Sequence, residues 1–165
     1  MPEKETLERA KRAKRRGKSA STQSGEFVRE EMHHIREGKH GARSAKQAIA
    51  IGLSKARRAG VNLRPPAKGK VSEKTRRSAE RAYHMGQRGE TKTSRRRSRA
   101  RERALKREGR SAASRRALAQ QARSAARRRT RAARSAAARR AVRTKGHRGR
   151  SAAARKAART RGQSR

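Results

Sequence analysis

The sequence predicts an all-α protein, in which a short helical hairpin is flanked by a basic N-terminal arm and a long basic tail. Three observations support this prediction. Apolar residues recur at helical spacing between residues 22 and 64, with hydroxyl and glycine residues at the expected helix ends. Strand-forming aromatic residues are nearly absent, since Phe27 and Tyr83 are the only two. Residues 94–165 consist mostly of Ala, Arg and Ser, of which Ala and Arg are strong helix formers.

Positive charge rises steeply along the chain. The net charge of the 165 residues is +41 at pH 7, from 53 Lys and Arg against 12 acidic residues, all of them Glu. It amounts to +5 over residues 1–21, +5 over 22–64, +11 over 65–109 and +20 over 110–165. A segment with so much charge and so little apolar surface is expected to stay largely disordered, or to become helical only when a polyanion neutralises it.

Residues 1–21 are expected to form a basic arm. Glu residues come early and Lys and Arg late in residues 3–16, the order that the helix dipole favours, and Gly17 follows as a stop. Leu7 is the only large apolar residue there. The sequence therefore predicts a solvated, partly helical arm, and a disordered leader remains the open alternative.

The helical hairpin is predicted at residues 22–64. Phe27, Val28, Met32 and Ile35 fall within an arc of about 140° when residues are placed every 100°, which is typical of an amphipathic helix. Gly38 and Gly41 are expected to end this helix. A second helix is predicted from a capping box at Ser44 and Gln47 to the neighbourhood of Gly60.

Ile51 points away from the apolar face of the second helix, which is formed by Ala45, Ala48, Ile49, Gly52, Leu53 and Ala56. Two interpretations remain open. Either a third segment of the chain covers Ile51, or Ile51 forms a homodimer contact.

Residues 65–93 are expected to be a Pro- and Gly-containing hinge that carries a third short helix from Ser72 to about Gly86, with a break from Gly86 to Thr93. Beyond it, residues 94–165 repeat one Ser-Ala-Arg theme, with copies that begin at Ser111, Ser124, Ser135 and Ser151. The copies are 13, 11 and 16 residues apart, which is too irregular for a stacked solenoid. They are interpreted as charge modules of a nucleic-acid-binding tail.

Most classes of enzyme are disfavoured by the residue types that are missing. The chain has no Cys and no Asp, so disulfides, thiolate chemistry and a Ser-His-Asp triad are ruled out, and no phosphate-binding P-loop motif is present. His33, His34 and His40 are interpreted as non-ligating, because adjacent histidines diverge by about 100° on a helix. Glu26, Glu30, Glu31 and Glu37 are interpreted as a solvated helix face. No catalytic activity, metal, cofactor or small-molecule substrate is predicted.

No stretch of the sequence is apolar enough to predict a membrane span or a secretory signal. The expected location is the cytoplasm, at the nucleoid.

The Arg-rich tail predicts binding to nucleic acid, since each cation that neutralises a phosphate releases counterions. With two aromatic residues the chain cannot build a base-stacking platform, which favours duplex DNA, or structured RNA held by its backbone, over single strands. Arg148-Gly149-Arg150 resembles the centre of an AT-hook, although Ser151 stands where Pro usually follows. The predicted phosphate contacts are Lys46, Lys55, Arg57, Arg58, Arg115, Arg116, Arg127, Arg128, Arg129, Arg139, Arg140, Arg148, Arg150 and Arg155.

Residues 24–61, and above all QAIAIGLSKARRAG from Gln47 to Gly60, resemble a small bacterial family whose members carry labels such as DNA-binding or plasmid-stabilisation protein. The tail is similar in composition to the Ala- and Lys-rich tails of bacterial linker-histone-like proteins, with Arg in place of most Lys. These resemblances imply a bacterial nucleoid protein that coats or bridges DNA.

Three functions are therefore carried forward as expectations. The first is a histone-like nucleoid-associated protein that binds duplex DNA without sequence preference and bridges or compacts it. The second is a protein associated with the ribosome or another structured RNA. The third, which rests on the family resemblance alone, is a partner-binding protein of a plasmid maintenance system.

Overall fold

A computed structural model of the chain describes residues 2–89 and 94–162. These residues form seven α-helices and one short 3₁₀ helix, without a strand among them, which confirms the all-α prediction. The chain divides into two compact units, Met1–Gln121 and Ala122–Arg165. The first unit includes residues 94–121, which the sequence analysis had assigned to the tail.

The residues predicted to form a solvated, partly helical arm do form a helix, α1 (Lys4–Arg15), but this helix packs against α2 (Ala20–Arg36). Thr6 and Ala10 are buried in this contact, and Leu7 packs against the cluster that contains Phe27. Arg9 forms ion pairs with Glu5 and, at 3.1 Å, with Glu26 of α2. The prediction of a free arm was wrong because small residues at helical spacing gave α1 a face that could be buried.

The predicted hairpin is α2 followed by α3 (Ala45–Arg58). At the start of α3, Ser44 Oγ accepts a hydrogen bond from Gln47 N at 3.2 Å, while Gln47 Oε1 accepts one from Arg43 N at 2.8 Å. The capping box thus forms, with its return bond one residue earlier than usual. At the end of α3, Gly60 has a φ of 81°, and Val61 N donates to Ala56 O at 3.1 Å. This is a Schellman cap, as the glycine predicted.

Two apolar clusters lie inside the first unit. One contains Ala10, Phe27, Ala56 and Val61, and so joins α1, α2 and the end of α3. The other contains Met32, Ile35, Ala42, Ala48, Ala112 and Ala113. Ala112 and Ala113 belong to the 3₁₀ helix Ser111–Ala113, and both are buried. A piece of the predicted tail therefore completes the hairpin core.

The segment that reaches the hairpin is held by backbone hydrogen bonds as well as by apolar contacts. Gly41 N donates to Leu105 O at 2.9 Å, and Ala42 N donates to Gly109 O at 3.1 Å. A Cβ atom on Gly41 would lie 1.8 Å from Glu108 O, so only glycine allows this approach. The loop between α2 and α3 is therefore a docking site for residues 105–113.

Helix α4 (Glu73–Gln87) is the predicted third helix, and it packs against α3. Ala79 and Ala82 are buried, and Tyr83 OH donates a hydrogen bond to Asn62 Oδ1 at 2.8 Å. Ile51 of α3 is half-buried. Part of the break predicted between Gly86 and Thr93 lies outside the described residues.

The tail was expected to be largely disordered or conditionally helical, and it is helical. It forms α5 (Arg95–Lys106), α6 (Arg115–Arg127) and α7 (Arg131–Gly162), the last with a kink at Gly146, whose φ is 61°. The expectation of disorder was wrong because Ala and Arg have high helix propensity, which outweighs the repulsion between charges three and four positions apart. Within the residues described, none of the helices is long and apolar enough to cross a membrane.

Gly52 lies where α3 crosses α2, and a substitution there is expected to destabilise the hairpin. A Cβ at position 52 would lie 2.7 Å from Val28 Cα, so Gly52→Ala forces the helices apart at an expected cost of about 1 to 3 kcal/mol. Gly25 in α2 is the matched control, since nothing lies within 4 Å of its Cβ position. Gly25→Ala is expected to stabilise the protein by about 0.5 to 1 kcal/mol. Urea unfolding measures both, and equal effects would contradict the close approach.

Candidate nucleic-acid interface

The arginines of α6, α7 and the turn between them are exposed, and together they are called the cationic array. All ten tail arginines that the sequence predicted as phosphate contacts are exposed: Arg115, Arg116, Arg127, Arg128, Arg129, Arg139, Arg140, Arg148, Arg150 and Arg155. The last acidic residue of the chain is Glu108. The segment that carries the array therefore contains no Asp or Glu side chain to pair with these arginines.

The arginines of α7 surround the helix instead of forming a stripe. At about 100° per residue, Arg131, Arg134, Arg139, Arg140 and Arg143 leave no arc wider than about 120° without a guanidinium. Val142, between them, is 44 % exposed, so no apolar face is formed there. A helix that is charged all round offers phosphate contacts in any orientation and presents no surface typical of a protein core.

Arg148-Gly149-Arg150 does not adopt the extended backbone of an AT-hook. All three residues lie within α7, and Arg150 Nε donates a hydrogen bond to Gly146 O at 3.3 Å. The predicted resemblance to an AT-hook is thus not realised in this conformation. Arg148 and Arg150 remain members of the cationic array.

The cations of the second predicted surface, on α3, lie in different environments. Lys46 is exposed, but Lys55 is inserted between two glutamates, with Nζ 2.7 Å from Glu31 Oε2 and 3.4 Å from Glu30 Oε1. Arg57 is buried and donates from Nε to Leu63 O at 3.1 Å. Lys55 and Arg57 therefore hold the fold together, and the prediction that they face nucleic acid is not supported by their surroundings.

Arg58 differs from Arg57 because the charge of a second arginine also acts on it. Burial, and then the charge of Arg101 in α5, lower the pKa of Arg58, and burial alone lowers that of Arg57. The Nε atom of Arg58 is buried and has no hydrogen-bond partner among the described residues. Two like charges repel each other, so the charge of Arg101 disfavours the charged form of Arg58.

Sequence reasoning predicted Arg115 but missed Arg36 and Arg110, which join it in a third group of cations. Arg36 from α2 and Arg110 and Arg115 from the segment around the 3₁₀ helix line one open depression, together with Ala113 and Ser114. Arg36 is held in place by a hydrogen bond from its Nε to Ala113 O at 3.0 Å. The side chains come from positions far apart in sequence, so no local pattern could have indicated them.

The acidic residues of α2 are not the solvated face that the sequence predicted. Glu30 and Glu31 are buried, while Glu26 is half-buried and Glu37 exposed. Glu30 Oε2 accepts a hydrogen bond from the backbone N of Glu3 at 3.2 Å. Glu31, His34 and His40 place their ligating atoms within 4.8 Å of one another. The sequence argument compared the adjacent His33 and His34. The structure instead brings His40, from the loop after α2, close to His34.

Comparison of the chain with protein families, with curated proteins and with solved structures finds no match. The resemblance of residues 24–61 to a bacterial family therefore stays a prediction.

Proposed function

We propose that the protein binds duplex DNA without sequence preference, through phosphate contacts, as a histone-like component of the bacterial nucleoid. The observation that carries this proposal is the cationic array, whose exposed arginines, including the ten predicted from the sequence, all follow Glu108, the last acidic residue. Each guanidinium that meets a phosphate releases condensed counterions, so affinity comes from the number of contacts and not from base readout.

The state of the two aromatic rings favours a duplex over a single strand. Phe27 is fully buried, and Tyr83 packs edge-on to His84 while its hydroxyl bonds to Asn62. Neither ring is placed to stack on bases, which single-strand binders require. The arginine-covered α-helices instead suit the major groove of a duplex, which admits a helix and is lined by phosphates on both sides.

Bridging or compaction of DNA follows from the existence of more than one cationic surface. The first unit carries the depression lined by Arg36, Arg110 and Arg115. The second unit carries most of the array. We infer that one chain contacts two DNA segments, without needing a homodimer contact, which was one of the two interpretations of Ile51.

A competition experiment distinguishes DNA from RNA. The full-length chain is bound to a labelled duplex at about physiological salt, and equal nucleotide masses of unlabelled duplex DNA or structured RNA are added. The expected result is that duplex DNA competes clearly better. Equal or better competition by RNA would instead make the ribosome- or RNA-associated function the better assignment.

A further inference from the structure

Three side chains with metal-ligating atoms meet at the C-terminal end of α2. Glu31 and His34 lie one helical turn apart, and His40 comes from the loop that follows the helix. The Glu31 side chain is 0 % exposed, while His34 and His40 are 12 % and 15 % exposed. The cluster is thus nearly enclosed but can be reached from solvent past the two imidazole rings.

The hydrogen bonds of His40 leave one ring nitrogen facing a carboxylate. His40 Nδ1 lies 3.0 Å from Gly41 O, and a carbonyl oxygen accepts only, so Nδ1 carries the proton. In the neutral ring, Nε2 is then an unprotonated acceptor, and it lies 3.4 Å from Glu31 Oε1. Glu31 Oε1 is buried and accepts no hydrogen bond from the described part of the chain. Two acceptors that face each other in a buried place repel, and a cation bound between them would relieve that repulsion.

His34 also has one ring nitrogen hydrogen-bonded to an oxygen. Its Nε2 donates a hydrogen bond to Glu3 Oε1 at 2.8 Å, so in the neutral ring Nδ1 is the nitrogen without a proton. Histidines that bind metal ions almost always donate their second N–H to a carboxylate or a backbone carbonyl. His34 uses the carboxylate of Glu3 and His40 uses the carbonyl of Gly41.

We propose that Glu31, His34 and His40 form a zinc site. Two imidazole nitrogens and one carboxylate are a ligand set that Zn²⁺ uses, with a fourth position left for water. Ligands at about 2.0 to 2.1 Å in a tetrahedral arrangement lie about 3.3 Å from each other. The separation of 3.4 Å between His40 Nε2 and Glu31 Oε1 is close to that value and long for a hydrogen bond.

Lys55 limits the site without blocking it. Its Nζ lies 2.7 Å from Glu31 Oε2, which leaves Oε1 as the ligating atom. A second carboxylate, Glu30, shares the Lys55 charge at 3.4 Å. The two carboxylates together outweigh the single ammonium, so the local charge favours a cation despite the strongly positive chain.

Zinc at this position would fix the loop on which the predicted tail docks. His40 directly precedes Gly41 and Ala42, whose backbone N–H groups bond to Leu105 and Gly109. A metal that ties His40 to α2 holds this loop in the docked conformation. Zinc binding is therefore expected to raise the thermal stability of the first unit, because a ligand that binds only the folded state stabilises it.

The test is zinc titration of the full-length chain, purified free of nucleic acid, by isothermal calorimetry. One equivalent is expected to bind to the wild type. His40→Gln and His34→Gln are each expected to weaken binding by more than about 100-fold, while Glu3→Gln, which removes an outer partner, weakens it by about 10- to 100-fold. His33→Gln is the matched control, since His33 is the exposed neighbour of His34 and is expected to change nothing.

Helicity measured by circular dichroism without metal identifies any variant that fails to fold, and Co²⁺ then provides an independent readout. Co²⁺ is expected to give the intense visible absorption of a tetrahedral site in the wild type and in the His33→Gln control only. The proposal is overturned if folded His34 and His40 variants bind zinc as the control does. It is also overturned if the wild type binds none.

Discussion

Deleting residues 122–165 is expected to remove most of the salt dependence of DNA binding. The deletion takes away 17 Lys and Arg residues and no acidic residue. If about six to ten of these cations contact phosphates, the slope of log K against log salt falls by about 5 to 9, at roughly 0.9 per contact. Binding of a DNA duplex, measured by fluorescence anisotropy between about 50 and 200 mM salt, provides both slopes.

The structure determines where this cut must be made. Ala112 and Ala113 are buried in the hairpin core and Leu118 packs against it, so a deletion from residue 110 would damage the fold as well as the tail. A cut after Gln121 follows the boundary between the two units. The control keeps the full length but replaces every Arg of residues 122–165 by Lys, which is expected to retain the slope. A truncated chain that binds as tightly, with an unchanged slope, would refute the DNA-binding tail.

Lys55→Ala is expected to cause the largest loss of stability among single substitutions of the cations. It leaves Glu30 and Glu31 buried without their shared counter-ion, and removing one partner of a buried ion pair costs about 3 to 5 kcal/mol. The Lys55 side chain is 23 % exposed, so water reaches the site and the lower end of this range is expected. Urea unfolding in the presence of a metal chelator measures the loss.

Lys46→Ala is the matched control on the same helix. Lys46 is exposed, so its removal is expected to change the free energy of unfolding by less than about 0.5 kcal/mol and to weaken DNA binding slightly. The sequence alone predicted the same role for both lysines. If Lys55→Ala left stability unchanged and weakened DNA binding as Lys46→Ala does, Lys55 would be a surface cation as first predicted.

Much of the helical architecture could be predicted because its signals are local. Ser44, Gln47 and Gly60 marked the ends of α3 correctly, and the spacing of Phe27, Met32 and Ile35 identified the buried face of α2. Capping and amphipathic periodicity act between residues a few positions apart, so they are readable without the fold.

The errors concern residues whose partners are distant in sequence. Glu31 resembles a solvated helix glutamate until Lys55 and His40 are brought to it. Ala112 and Ala113 belong to a Ser-Ala-Arg copy like the others in the tail. They are buried only because they pack against Ala42 and Ala48. The packing of α1 depended on α2 in the same way.

The sequence by itself determined the excess of positive charge, its concentration after residue 109 and the helical character of the chain, since composition and propensity set these quantities directly. Only the tertiary structure decided which charged side chains take part in the fold and which stay exposed to solvent. It inserted Lys55 between Glu30 and Glu31, buried Arg57, left the tail arginines exposed and gathered Glu31, His34 and His40 into one cluster. The physical reason is that a charge becomes structural when burial removes its water, and burial depends on contacts between segments that are remote along the chain.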